Sequence, residues 1–262
     1  MRALHIAASG MAAQQLNVET ISNNIANMNT IGFKEQRAQF EDLLYENVEQ
    51  MGAQSSDTGT VVPTGIQLGS GVATGSIYRI TTQGALAQTG NPFDLAISGR
   101  GYFQVQLPTG DISYTRAGNF AVNQNGQLVT VDGYSVLPAV SIPQTATAVT
   151  VSSSGQVQAT IPGNPTPQTV GQLTIATFFN EAGLDAIGKN LFLQSGSSGA
   201  PNLAAPGSAG YGSIQQGYTE SSNVDSVTEI TNLIVAQRAY EMNSKVVTTS
   251  DQMLQSVEQL KS

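Results

Sequence analysis

Cysteine is absent from the 262 residues. That excludes disulfides, thiolate metal sites and thiol catalysis. Charge is also scarce, at 11% of residues, about half the usual share. The balance is acidic, 18 carboxylates against 10 lysines and arginines, for a net charge of -8. This argues against a nucleic-acid partner, because phosphate binding needs clustered cations. No apolar run approaches the roughly 18 residues of a membrane span, so membrane insertion is not expected. The opening Met1-Arg-Ala-Leu-His5 leads into an amphipathic repeat with no continuous apolar stretch or small-residue cleavage site. A cleaved secretory signal is therefore not expected, and export would need another route. A surface so poor in charge is weakly protected against self-association. That fits a protein living inside an assembly, and an ordinary extracytoplasmic β protein fits the same composition.

What the chain does have is two heptad patterns, one at each end. Leu4, Met11, Val18 and Ile25 recur every seven residues, with Ala7, Gln14, Ile21 and Met28 offset by three. Near the other end Leu233, Tyr240, Val247 and Leu254 repeat, beside Ala239, Val246, Met253 and Leu260. An apolar period of 3.5 residues is a coiled-coil seam, and it needs a covering helix. The two ends can cover each other only if the middle loops out and returns. The first helix is predicted over residues 3–28, stopping at Asn29-Thr-Ile-Gly32, and spans roughly 39 Å. Asn17, Asn23, Asn24 and Asn27 weaken it, since asparagine competes for backbone partners. Such a helix is marginal alone and gains stability from assembly. The last helix is predicted from a cap at Ser222 or Asn223 to about Lys261.

Between the helices the pattern changes to short strands. Residues 33–51 carry a weak helical spacing in Phe40, Leu44, Val48 and Met51 that is equally compatible with extended chain. Residues 52–62 have no useful periodicity. From about 70 to 195, alternating runs such as Phe93-Asp-Leu-Ala-Ile97 and Tyr102-Phe-Gln-Val-Gln-Leu107 are divided by turns, among them Asn125-Gly126 and Asp132-Gly133. Residues 162–168 hold three prolines and read as loop. Residues 195–213 read as linker by composition. The expected fold is α+β. Residues 1–30 and 222–262 form a discontinuous axial domain of paired helices. Residues 31–69 are an extended connection, 70–195 a central all-β sandwich or irregular barrel, and 196–221 a returning linker.

Catalytic chemistry is thinly represented. His5 is the only histidine, with no carboxylate or serine pattern beside it, so a packed or solvated helix residue is the better reading. Gly99-Arg-Gly101 and Gly69-Ser-Gly71 are halves of a dinucleotide fingerprint, but both precede strands, so tight turns explain them better. Asp94, Asp111 and Asp132 could meet as a glycosidase pair. Turn chemistry accounts for the last two without catalysis. No catalytic residue, metal or cofactor is expected.

The motifs at this point match a family. Residues 9–34, containing Ser22-Asn-Asn-Ile-Ala-Asn-Met-Asn-Thr-Ile-Gly-Phe-Lys34, resemble the N-terminal signature of bacterial flagellar rod and hook proteins. Ser222-Asn-Val-Asp225 and Ala236-Gln-Arg-Ala-Tyr-Glu-Met-Asn-Ser-Lys245 resemble the same family's C-terminal end. Asp94-Leu-Ala-Ile-Ser-Gly-Arg-Gly-Tyr-Phe103 and Tyr114-Thr-Arg-Ala-Gly-Asn-Phe120 are similar to its central β domain. The likeness spans essentially the whole chain and is greatest to the distal-rod members.

The resemblance implies a non-enzymatic subunit of a hollow helical drive shaft in the flagellar basal body, spanning the periplasm. Both terminal helices would line an export channel, and the subunit would be exported through the flagellar type III apparatus as an unfolded chain. Its implied partners are further copies of itself, the proximal rod and hook proteins at the two ends, the ring bushing and the export apparatus. The seam residues named above would carry assembly. Gln54, Ser55, Ser56 and Asp57, in a polar stretch over 46–62, would lie against a neighbouring subunit and stiffen the tube. A proximal rod or hook subunit is the nearest alternative. A cell-wall-associated β-domain enzyme is the rival of another class.

Overall fold

A computed structural model describes residues 2–49 and 64–261. It is α+β, with a helix at each end and strands between. Contacts divide the chain into two units. One comprises residues 1–25, 36–78 and 226–262, and the other residues 26–35 and 79–225. No helix among the described residues is long and apolar enough to cross a membrane.

The first unit holds α1 (Arg2–Ala26) and α2 (Ser226–Lys261). It also holds strands β1 (Gln36–Asp42), β2 (Tyr45–Glu49), β3 (Ile66–Gly69) and β4 (Val72–Arg79). β1 pairs with β4 and β2 with β3. The ambiguous spacing over residues 33–51 therefore resolves as extended chain over 36–42 and 45–49, while Gln50 and Met51 lie outside the described residues. Gln54, Ser55, Ser56 and Asp57 lie outside the described residues.

Asn24 joins three elements of this unit. Its side-chain amide donates to the Gln36 carbonyl at 2.8 Å and accepts the Gln36 N–H at 2.9 Å. It also donates to the Glu229 carboxylate at 3.0 Å. A second close approach lies about four turns nearer the N-terminus of α1. A Cβ built on Gly10 would stand 2.9 Å from the Asn243 amide. The paired numbers 24 with 229 and 10 with 243 have the same sum, so the two helices run antiparallel.

The second unit contains β5 (Leu86–Gln88), β6 (Leu95–Ser98), β7 (Tyr102–Gln106), β8 (Ile112–Thr115), β9 (Ala121–Val122), β10 (Leu128–Val129) and β11 (Ser135–Leu137). The chain continues through β12 (Ala148–Val151), β13 (Gln156–Ile161), β14 (Asn164–Gln172) and β15 (Ile175–Thr177). It ends with β16 (Asp185–Gly188), β17 (Leu191–Leu193), β18 (Asn202–Ala204), β19 (Ser213–Gln216) and β20 (Tyr218–Glu220). The main sheet runs β16-β17-β8-β7-β11-β10-β9, with β15 against β7 and β18 against β15.

Tyr102, Phe103, Gln104 and Val105 of β7 are all buried, because both faces of the strand are covered. Phe103 lies in a cluster with Leu95, Ile97, Phe120, Ile175 and Ile214. Tyr102 lies in a second cluster with Tyr114, Phe178 and Phe192. Tyr114 meets Phe178 edge-on, with ring centres 4.7 Å apart. Such pairs add to what burial alone supplies.

Two sequence expectations need correction here. The proline run is not loop. β14 crosses it and pairs antiparallel with β13, with register shifts along the pair. β14 is the edge of the β12-β13-β14 sheet, where proline's missing N–H costs no ladder bond. Nor is the 196–221 stretch a plain linker. β18, β19 and β20 arise in it and pair with β15, β6 and β5. Its small polar residues hid three strands from a reading by composition.

Candidate assembly interface

The helix pair turns one row of α2 towards α1. Glu229 and Asn243 of that row contact α1 as described above. Ala236 and Ser250, which continue the same heptad spacing, are also buried. Leu233 and Val247, on the adjoining row, are half-buried. The inward companion row is thus Glu229, Ala236, Asn243 and Ser250, where the sequence pointed to Ala239, Val246, Met253 and Leu260. Polar and small residues occupy the inner row, so it carries no apolar signal.

The expected row faces elsewhere. Val246 is 46% and Met253 58% exposed, and Val235 and Met242 beside them are 63% exposed each. With half-buried Ala239, Val235, Met242 and Val246 fall at spacings of four, three and four, and Met253 lies seven residues further on, a second helical seam largely uncovered within the subunit. Tyr240 and Leu254 are about two-fifths exposed, at 42% and 41%. The Leu260 side chain lies outside the described residues.

On α1, Ile21 is buried, while Leu4, Met11, Val18 and Ile25 are half-buried. Met28 is not part of that helix. α1 ends at Ala26, and a turn follows in which the Thr30 N–H donates to the Asn27 carbonyl at 3.1 Å. The Thr30 hydroxyl and the Asn27 side chain close the same turn.

The β unit carries a polar clamp that no local sequence pattern announces. Glu220, at the end of β20, is fully buried and accepts from the Lys34 ammonium at 2.6 Å and the Gly84 N–H at 2.9 Å. Its other oxygen pairs with the Arg116 guanidinium. Arg116 also donates to the carbonyls of Ile97 at 2.9 Å and Gly99 at 2.6 Å, and to that of Gly101. Gly99 and Gly101 adopt positive φ angles of 107° and 139°, backbone that glycine reaches without strain. The turn that fails as a phosphate cradle therefore wraps a guanidinium. Lys34 donates its remaining contact to the Thr82 carbonyl at 2.8 Å.

Burial pushes the Glu220 carboxyl up, but Arg116 and Lys34 more than offset this and hold it below the usual carboxylate range. Burial lowers the Lys34 ammonium, with Glu220 opposing. A buried charge cluster that loses one partner is costly, because the remaining charge is left uncompensated.

The carboxylates weighed as a catalytic pair each have a local structural partner. Asp94 accepts from the Thr89 hydroxyl at 2.6 Å and the Asn91 amide at 3.0 Å. Asp111 accepts from Thr109 within its turn, and Asp132 pairs with Lys189. His5 is exposed on α1.

Residues 4–34 match the family described as flagella basal body rod protein. Residues 96–159 match the flagellar hook protein FlgE/F/G D1 domain, and 215–260 the flagellar basal body rod FlgEFG protein C-terminal region. A flagellar basal-body rod protein FlgG of Caulobacter vibrioides is 63% identical, with all of both chains covered. The chain belongs to the flagellar basal-body rod protein family. Another rod-family member, the FlgG of Agrobacterium fabrum, is 53% identical over 97% of each chain. A rod protein of the family's FlgF group, from Mesorhizobium japonicum, is 32% identical over 91% of this chain and 88% of its own. The clamp draws on all three matched regions of this family: Lys34 from the first, Arg116 from the second and Glu220 from the third.

Proposed function

We propose that this chain is a structural, non-enzymatic subunit of the flagellar rod, of the distal-rod type. It polymerises into a hollow helical shaft that transmits torque and surrounds the export channel. The uncovered second seam of α2 carries this reading. A helix that already contacts α1 on one row and still offers Val235, Met242, Val246 and Met253 has a face for a helix from another subunit. α1 and α2 pack as a coiled-coil-like axial pair, and the second seam joins that pair to its neighbours. A repeated head-to-tail contact that does not close on itself builds an open filament.

The distal-rod reading rests on the high identity to relatives named FlgG, against the lower identity to the FlgF-type relative. On this reading the subunit works in the periplasm-spanning part of the basal body, between proximal rod and hook. The export apparatus delivers it, and the ring bushing surrounds the assembled shaft. The test is assembly itself. Electron microscopy of the concentrated chain should show tubes, and the gene should restore motility to a host lacking its own rod subunit. Monodisperse monomer together with failed complementation would overturn the reading.

A further inference from the structure

The two helices leave a groove between them that neither the inward row nor the exposed seam uses. It is lined by Gln15, Val18 and Glu19 of α1 and by Gln237, Tyr240 and Glu241 of α2, and encloses about 340 Å³. Half-buried Val18 and the Tyr240 ring supply apolar surface to it, and the exposed Glu19 and Glu241 add two carboxylates. Glu19 takes one hydrogen bond from Gln15 at 3.1 Å, and Glu241 one from Arg238 at 3.1 Å. Both carboxylates keep acceptor capacity, since an ionised carboxylate offers about four lone-pair sites. An apolar lining beside two carboxylates fits a lysine: the methylene stem lies on the apolar surface and the ammonium meets the carboxylates. The Tyr240 ring face adds cation–π attraction.

The helices themselves offer one such side chain. Among their described lysines and arginines, Arg2 pairs with Glu46 and Arg238 with Glu241. Lys245 is exposed and has no ion pair among the described residues. In its own chain Lys245 stands one helical turn from Glu241, but it cannot bridge to Glu19. In the antiparallel register set by Gly10 with Asn243 and Asn24 with Glu229, Lys245 stands level with residue 8. Glu19 is eleven residues further along α1, or about 16 Å at the helical rise, which exceeds the length of a lysine side chain.

We propose that the groove between α1 and α2 receives Lys245 from a second copy of this chain, with Glu19 and Glu241 as its carboxylate partners. This rests on the self-assembly reading above and names a contact within it. Lys245 is on the outer side of α2, so inserting it brings the α2 of one subunit against the helix pair of the next. The contact is head-to-tail, because the lysine and its groove are different surfaces of the same chain.

Carbodiimide treatment of assembled full-length chain joins an amine to a carboxylate only where they touch. Mixed isotopically light and heavy subunits should give a Lys245–Glu19 peptide pair containing one light and one heavy partner. Lys245→Glu should raise the concentration needed for assembly about fivefold to tenfold, the scale of a partly desolvated ion pair turned repulsive. Combining it with Glu19→Lys should restore most of the loss, while the monomer melts of all variants coincide. Normal assembly of Lys245→Glu without the mixed cross-link, in a wild type that does assemble, overturns the groove contact and leaves the self-assembly reading intact. A Lys245 cross-link confined to Glu241 of the same chain also overturns it. Failure of the wild type to assemble removes the reading beneath it.

Discussion

The helical unit and the β unit solve the burial problem in opposite ways. In the β unit, phenylalanine, leucine, isoleucine and valine fill two clusters, and the buried charges are paired. In the helical unit, the buried apolar side chains among the described residues are Ala7, Ala13, Ile21 and Ala236. Its large apolar side chains are mostly outside: Leu44, Val48, Val227, Ile234, Val235, Met242 and Met253 are each more than half exposed. Burying apolar surface is the main favourable term in folding. The β unit therefore has its stabilisation within one chain, while the helical unit leaves much of its apolar surface uncovered within its own. One region is built to fold, the other to be completed.

The largest effect that sharpens this contrast is on the clamp. Glu220→Gln leaves Lys34 and Arg116 buried without their counter-charge, at a cost of about 3–5 kcal/mol. Urea unfolding of the full chain should show the β transition displaced and the helical signal little changed. Coincident displacement of both would mean that the two regions share one stability.

Acid probes the same carboxylate without mutation. The folded Glu220 lies below the ordinary carboxylate range, held there by Arg116 and Lys34 against the cost of burial. Its contribution is therefore present above the unfolded value of about 4.3 and fades as pH falls from there towards the folded pKa. Wild-type stability should drop through that window with a steeper slope than that of Glu220→Gln. Parallel slopes would take Glu220 out of the acid response.

Asn24→Ala tests the helical unit's strongest internal tie. It removes three hydrogen bonds from a buried amide and leaves Gln36 backbone groups unpaired, at a cost of about 2 kcal/mol. The loss should appear in helical circular dichroism, with the β melt unmoved.

The smallest stability effect comes from Val246→Asp. The site is half-exposed in the subunit, so the monomer should change by about 0.5 kcal/mol or less. Assembly should nevertheless fail, because the second seam then buries an unpaired carboxylate. A monomer destabilised as much as by Asn24→Ala would show that Val246 packs within its own chain.

What the sequence made legible follows from these same forces. α1 and α2 were legible because an apolar period survives wherever one face must be covered. The β character was legible from alternation and from turns such as Asn125-Gly126, whose glycine takes φ 77°. The strands at 202–204, 213–216 and 218–220 were not, because partners elsewhere in the chain create them. The inner row of α2 was missed because Glu229 and Asn243 are polar, and their partners Asn24 and Gly10 have no apolar signature either. The clamp was beyond reach: Lys34 and Glu220 are 186 residues apart, and no local pattern announces a pairing of that span.

The register between the helices leaves one end uneven. Near Ser226 the pair is flush, since that position falls level with the last residues of α1. At the other end, position 251 already falls level with Arg2, yet α2 continues to Lys261. About ten residues, or some 15 Å of helix, stand past the point where α1 begins. In the shaft proposed above, such ends would act as a carpenter's scarf joint, with successive pieces overlapping along the grain and twist carried through the overlapped length. A shaft spliced in that manner has no plane at which all its joints coincide.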